Sequence, residues 1–266
     1  MKAIIPIAGK GTRLLPHTRT LQKALLPVAG KPVLEHILAP LIEAGISHIT
    51  FVVGHLGDQI SEFMSNYNGL PVTFVEQIRP KGLGDAVNLG LEPVDEPVVI
   101  VLADTIMELN YKEFLEGKSN VIGVVEVENP EDFGIVETVG RRVVDVVEKP
   151  EEPVSNLAIA GIYRLSSQLQ LKHALDTLKK NHTMTKGEYQ LTDALELMLD
   201  DGATIRAETL DRWLDCGTKE TLLSTNRYLL QQQPGGIFVH PEAALEGSTV
   251  RSTSVMEGCM LIDTIT

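Results

Sequence analysis

The sequence predicts an α/β fold, a doubly wound mixed sheet followed by a short parallel β-helix. Three observations predict it. Short apolar runs alternate with helix-length amphipathic stretches over the first two thirds of the chain. The texture then changes to successive strands joined by tight turns, and the last thirty residues carry a six-residue period.

Taken in order, AIIPIAG (3–9) and HITFVVG (48–54) read as strands. Between them PVLEHILAPLIEAG (32–45) has helical spacing and is closed by Gly45. VTFVEQ (72–77) and VVIVLAD (98–104) are further strands. The second is almost continuously apolar, as expected of a parallel strand covered on both faces. From about 121, VIGVVEVE (121–128), GIVETV (134–139) and RRVVDVVEK (141–149) read as an antiparallel insertion or edge, and LAIAGIYRL (157–165) as another strand. Helices follow around 167–180 and 191–201; IRAETL and RWLDCG (205–217) precede a helix near 218–231.

In the tail, Phe238, Ala244, Val250, Met256 and Ile262 fall six apart, as do Ile237, Ala243, Thr249, Val255 and Leu261. This is the pattern of hexapeptide rungs, against the alternative of two ordinary strands. The expected division is a first domain over 1–232 and the start of a β-helix over 233–266. So short a coil needs to stack on the first domain or on a partner subunit.

Lys and Arg number 23 and Asp and Glu 36, a net charge of −13 in 266 residues. This argues against nucleic acid or an anionic membrane as partner, since both depend on an attractive cationic field. Phosphate ligands stay open, because local cations and backbone N–H groups outweigh the global field inside a cleft. Cys216 and Cys259 form neither a metal-ligand spacing nor a disulfide framework, which fits a reducing, cytoplasmic setting. The opening MKAIIPIAGKGTR has too short an apolar run for a signal segment, and no stretch is long enough to span a bilayer.

The sharpest motif is AGKGTRLLPHT (8–18) followed by QKALLPVAGKP (22–32). Gly9 and Gly11 let the backbone turn and approach a ligand with no Cβ in the way. Their N–H groups cradle phosphate oxygens, and Arg13 and Lys23 add charged donors. The pattern is neither GxxxxGK[ST] nor GxGxxG, since Leu14 stands where the third glycine would be. Alone, it is equally compatible with a glycine turn flanked by surface cations.

Together, GKGTRLLP and QKALLPVAGKP resemble the signature of the sugar nucleotidylyltransferases, the family of glucose-1-phosphate thymidylyl- and uridylyltransferases. The likeness runs over roughly residues 1–230. It implies a Rossmann-like nucleotidyltransferase fold with, in the longer members, a left-handed β-helical tail. It also implies transfer from dTTP or UTP to glucose 1-phosphate with Mg²⁺ as cofactor, and a homo-oligomer. In the family the glycine loop and the Arg matching Arg13 hold the triphosphate, and the Lys matching Lys23 contacts phosphates near the reacting centre. Ala8, Gly9, Gly11 and Thr12 are thereby assigned to the nucleotide.

Asp104 follows an apolar strand and Asp215 lies in RWLDCG. From the residues alone each is equally a turn former or helix cap. The likeness makes LADT and WLDCGT the two metal-binding segments, with Thr105 and Cys216 departing from the usual Asn and Thr. VVEKP (146–150) places Glu148 and Lys149 at a strand end, where an exposed pair closing a hairpin is the alternative. The likeness assigns Lys149 to the sugar phosphate, Glu148 to its hydroxyls, and Gly134 and Gly161 to backbone lining the sugar pocket. GEYQLTD (187–193) brings Glu188 to the sugar or the pocket wall, with helix capping the rival role for Thr192 and Asp193. Gln77 and Gly82, in the GLGDA loop (82–86), resemble the base-reading segment.

No histidine cluster is present or needed. A sugar phosphate, with a second pKa of about 6, is already anionic near neutrality. Alignment and charge neutralisation then suffice for in-line transfer. Three other readings stay open: a transferase for another sugar 1-phosphate or base, a non-catalytic sugar-nucleotide-binding regulatory member of the fold, and part of a bifunctional acyltransferase, for which the tail carries only His240.

Overall fold

The computed structural model describes residues 1–67, 69–246, 249–250, 254–255 and 260–262. Met256 and Cys259 lie outside the described residues. Four strands, β1 (Lys2–Pro6), β2 (His48–Val53), β3 (Val72–Glu76) and β4 (Val98–Val101), are parallel in the order β3-β2-β1-β4. After β5 (Thr105–Glu108), which stands outside this sheet, come β6 (Asn120–Glu126), β7 (Gly134–Val139), β8 (Arg142–Glu148), β9 (Leu157–Leu165) and β10 (Ile205–Thr209). β9 lies antiparallel between β4 and β6, and the nine-stranded order is β3-β2-β1-β4-β9-β6-β10-β8-β7. The sheet is therefore mixed: parallel where βα crossovers build it and antiparallel around the hairpin of β7 and β8.

Helices cover both faces. The pleat sends Ala3 and Ile5 of β1 into one core and Ile4 into the other. The first core takes the face of α1 (Val33–Glu43) formed by Val33, Leu34, Ile37, Leu38 and Leu41, together with α2 (Gly57–Met64) and α4 (Tyr111–Leu115). The second takes α3 (Leu83–Gly90), α5 (Gln168–Asn181) and α6 (Leu191–Asp200). α1 stops as its glycine predicts. Gly45 is left-handed at φ +98°, with Gly45 N–H donating to Ile42 and Ile46 N–H to Leu41.

Two findings differ from the sequence reading. The strand expected to reach residue 104 ends at Val101, because Leu102 N–H donates to Gly161 and the chain then turns into β5. β5 pairs with β11 (Arg212–Asp215) as a separate antiparallel ribbon. After α7 (Lys219–Gln231) the tail lays the Phe238 ring on Gly30, and Gln233 donates to the Ala29 carbonyl. There Phe238–Val239 runs parallel to Ser254–Val255, and Ala244–Glu246 to Met260–Ile262. The partners are sixteen residues apart, not a multiple of six, so these pairs do not follow the six-residue phase. Among the described residues no helix is long and apolar enough to cross a membrane.

Candidate active site

The phosphate loop leaves β1 at the carboxyl edge of the parallel strands, where open α/β sheets present ligands. Gly11 is left-handed at φ +62°, and a Cβ there would stand 3.0 Å from Thr18 Cγ2 and 3.2 Å from Lys23 Cβ. A Cβ on Gly9 would meet only Lys23 Nζ, at 3.9 Å, so this face is open to a ligand. Thr12 is exposed at the start of a single turn of 3₁₀ helix that carries Arg13. Buried Gln22 fastens the loop: its amide donates to Ile7 O at 2.9 Å and accepts from Ala24 N–H at 2.6 Å. Thr18 Oγ1 donates to Gly11 O at 2.8 Å. The sequence reading assigned no role to Gln22 or Thr18, since buried amides leave no periodic signal.

Asp104 and Asp215 come together although 111 positions separate them in the chain. Asp215 ends β11 and pairs with Thr105 across the ribbon, and Cys216 N–H donates to Asp104 O at 2.8 Å. Lys23 Nζ lies 2.6 Å from Asp104 Oδ2. Burial pushes the Asp104 carboxyl up, but Lys23, with its charge and hydrogen bond, and Arg13 more than offset this and hold it below the usual carboxylate range. Asp215 Oδ1 accepts from Gly217 N–H at 3.0 Å, and a Cβ on Gly217 would stand 3.0 Å from that oxygen and 3.2 Å from Arg13 Nη2.

The residues fit a hard divalent cation. Among the described residues no group of three or more His, Cys, Asp and Glu side chains could hold one. Two carboxylates that leave the other positions to phosphate oxygens and water are what Mg²⁺ takes. Cys216 beside them is buried and its thiol is pushed up to about 12 by burial, so it is no reactive thiolate.

On the opposite wall Glu148 ends β8 and accepts from Thr192 Oγ1 at 2.9 Å. Lys149, left-handed at φ +45°, places Nζ 3.6 Å from Glu148 Oε1, and its carbonyl accepts from Lys186 Nζ at 2.8 Å. A Cβ on Gly134 would stand 2.7 Å from Thr192 Cγ2 and 3.0 Å from Glu148 Oε2, so a side chain there would push the Thr192–Glu148 pair aside. Gly161, at φ +94°, makes the irregular step in β9 against Leu102. The capping role weighed for Thr192 and Asp193 is not what forms. Gln190 is the N-cap, without a side-chain cap bond, and Thr192 serves Glu148 instead.

Beside the glycine loop Gln77 is buried against the start of α3, and a Cβ on Gly82 (φ +106°) would lie 2.5 Å from Tyr189 O. Glu188 sits beside Gly82, on this side of the cleft rather than with Glu148.

These residues line two adjoining hollows. One, of about 290 Å³, contains Ala8, Gly9, Lys23, Gln77, Gly82, Asp104 and Glu188. The other, of about 270 Å³, contains Arg13, Asp104, Gly134, Glu148, Lys149 and Asp215. Leu83, Leu102 and Asp104 belong to both. Two larger hollows, about 480 and 530 Å³, contain neither the glycine loop nor either aspartate.

A model of the family described as Nucleotidyl transferase matches residues 2–232. The chain is 34% identical over 245 residues to the low-salt glycan biosynthesis nucleotidyltransferase Agl11 of Haloferax volcanii, covering 88% of this chain and 67% of that protein. It is 31% identical over 230 residues to the UTP–glucose-1-phosphate uridylyltransferase AglF of the same organism, covering 83% and 93%. Against the bifunctional protein GlmU of Methanocaldococcus jannaschii it is 34% identical and spans about half of that protein's length, 55%, with 87% of its own. A Bacillus anthracis structure assigned as a glucose-1-phosphate thymidylyltransferase superposes with a TM-score of 0.73 at 27% identity, covering 86% of this chain and 94% of that one.

Proposed function

The chain belongs to the nucleotidyl transferase family, and from that premise we propose that it transfers a nucleoside monophosphate from dTTP or UTP to glucose 1-phosphate, with Mg²⁺, releasing pyrophosphate. One observation carries the reading. Asp104 is shared by two hollows, one walled by the glycine loop, Lys23 and Gln77, the other by Glu148 and Lys149. A triphosphate in the first and a sugar phosphate in the second would meet at that carboxylate. Relatives named for uridylyl and thymidylyl transfer support the choice of donor and acceptor.

In this reading the N–H groups around Gly9 and Gly11 bind the β- and γ-phosphates, and Arg13, which lines the second hollow beside Asp104 and Asp215 rather than the first, reaches the leaving pyrophosphate from where the hollows join and neutralises it. Lys23, already held against Asp104, sits over the reacting α-phosphate. Lys149 grips the acceptor phosphate and Glu148, oriented by Thr192, accepts from sugar hydroxyls. The attacking oxygen is anionic near neutrality, so no general base is required. Asp104 and Asp215 would hold Mg²⁺, which supplies charge neutralisation along the phosphates. We assign residues 1–232 to this catalytic unit and 233–266 to the start of a left-handed β-helix. Only the parallel direction of the tail pairs supports the latter, since their sixteen-residue separation departs from the six-residue phase, and a homo-oligomer would give it a surface to stack on.

The test is pyrophosphate release with Mg²⁺ across UTP, dTTP, GTP, ATP and CTP, each with glucose, mannose, galactose or N-acetylglucosamine 1-phosphate. Release that requires glucose 1-phosphate with UTP or dTTP, and yields the nucleotide sugar by mass, is the expected result. Release with none of the combinations sinks the transferase reading.

A further inference from the structure

Gln77 holds a position whose chemistry is decided by a neighbour outside the glycine loop. Its Nε2 lies 2.9 Å from Asp85 Oδ2 and 3.3 Å from Gly82 O. A carboxylate and a carbonyl only accept, so both hydrogens of the Gln77 amide are committed to them. The reverse orientation would set Oε1 against two oxygens, one of them charged. Asp85 is itself buried and its other oxygen accepts from Lys179 Nζ at 2.8 Å, reaching across from α5. Burial pushes the Asp85 carboxyl up, and the hydrogen bonds from Lys179 and Gln77 with the charge of Lys81 hold it low, so it stays an acceptor at neutral pH. What Gln77 has left for the 290 Å³ hollow it lines is a carbonyl oxygen.

We infer that Asp85, fixed by Lys179, is a positioning residue that turns the Gln77 carbonyl toward the base and so selects pyrimidines whose ring N3 carries a hydrogen. This rests on the proposed use of UTP or dTTP, and it adds a chemical reason for the choice. Uracil and thymine offer N3–H, whereas cytosine offers a bare N3 lone pair that would oppose Oε1. A methyl on the ring does not enter this contact, so it does not separate UTP from dTTP.

The test measures Kd for UTP and CTP by calorimetry with Mg²⁺ and no sugar phosphate, on the full chain. Wild type is expected to bind UTP at least tenfold tighter than CTP. In Asp85→Asn the side chain at 85 can donate as well as accept, which frees the Gln77 amide to turn over. The UTP-to-CTP preference should fall about tenfold. In a Gln77→Ala background the same change should leave the preference where it is, since Asp85 acts through Gln77. Lys179→Met, which loosens the carboxylate without removing it, should lower the preference by a smaller factor and serves if Asp85→Asn does not fold. The inference is overturned by a folded Asp85→Asn with the wild-type ratio, by the same shift without Gln77, or by a wild type that binds CTP as well as UTP. Selective UTP binding without any pyrophosphate release would sink the transferase reading and leave this one standing.

Discussion

The glycine-loop wall of the cleft and the wall around Glu148 and Lys149 are built by different means. The glycine loop, Ala8 to Lys23, is held mainly by its own neighbourhood, through the amide of Gln22 and the hydroxyl of Thr18, while Gln59 of α2 bonds its backbone from a distance, at Gln22 N–H and the Thr20 carbonyl. The second is assembled at a distance. Glu148 comes from a strand end, Thr192 from the first turn of a helix 44 residues on, and Lys186 reaches the carbonyl of Lys149 from 37 residues on. A backbone cradle needs glycines and anchors nearby; a side-chain clamp needs distant segments brought into register. The two walls should therefore fail differently when altered.

The largest effect is expected where the walls meet. Asp104→Asn should lower kcat of pyrophosphate release by about 10²–10³-fold or more, with the fold intact by circular dichroism. Near-normal turnover would remove Asp104 from the centre of the comparison. Next comes the backbone. Gly82 has φ +106° and ψ 172°, and a Cβ would meet Tyr189 O at 2.5 Å. Gly82→Ala should cost about 2 kcal/mol or more and lower Tm by several degrees; an unchanged Tm would show that this loop gives way.

The clamp should respond in binding rather than stability. Thr192→Val removes the hydroxyl that orients Glu148. It should raise KM for the sugar phosphate about five- to tenfold and leave KM for the nucleotide unchanged; equal changes in both would erase the division between walls. The smallest effect is at Cys216. With its thiol pushed up to about 12 by burial, it should label negligibly with iodoacetamide at pH 8 in the folded protein and readily in denaturant, read by mass of its peptide. Fast labelling of the folded protein would contradict the burial.

The same contrast explains what the sequence disclosed. Apolar runs located most strands of the main sheet because pleat and helix periods are local properties, and Gly45 marked the end of α1 for the same reason, whereas the short ribbon strand Thr105–Glu108 was not read. GKGTR was legible because the cradle lies within one stretch. The turn that carries Asp104 past its strand was not, since it depends on Leu102 bonding to Gly161 in another strand. Nor was the service of Thr192 to Glu148, or of Asp85 and Lys179 to Gln77. Each is a single contact between distant segments, and single contacts have no period. Glu188, expected at the sugar or the pocket wall from its segment, lines the hollow of the glycine loop beside Gly82, a position set by the contact between two distant segments.

The ribbon of β5 and β11 gives this protein a particular history during synthesis. Its two strands are separated by the whole of β6 to β10, so the second carboxylate emerges from the ribosome long after the phosphate loop has been made. At about 5–20 residues per second the intervening hundred residues take several seconds to tens of seconds. A nascent chain in that interval has the glycine loop but one aspartate of the pair. On the proposed function, chemistry would be withheld until most of the chain has been translated, and the last strand to join the cleft is the one that completes it.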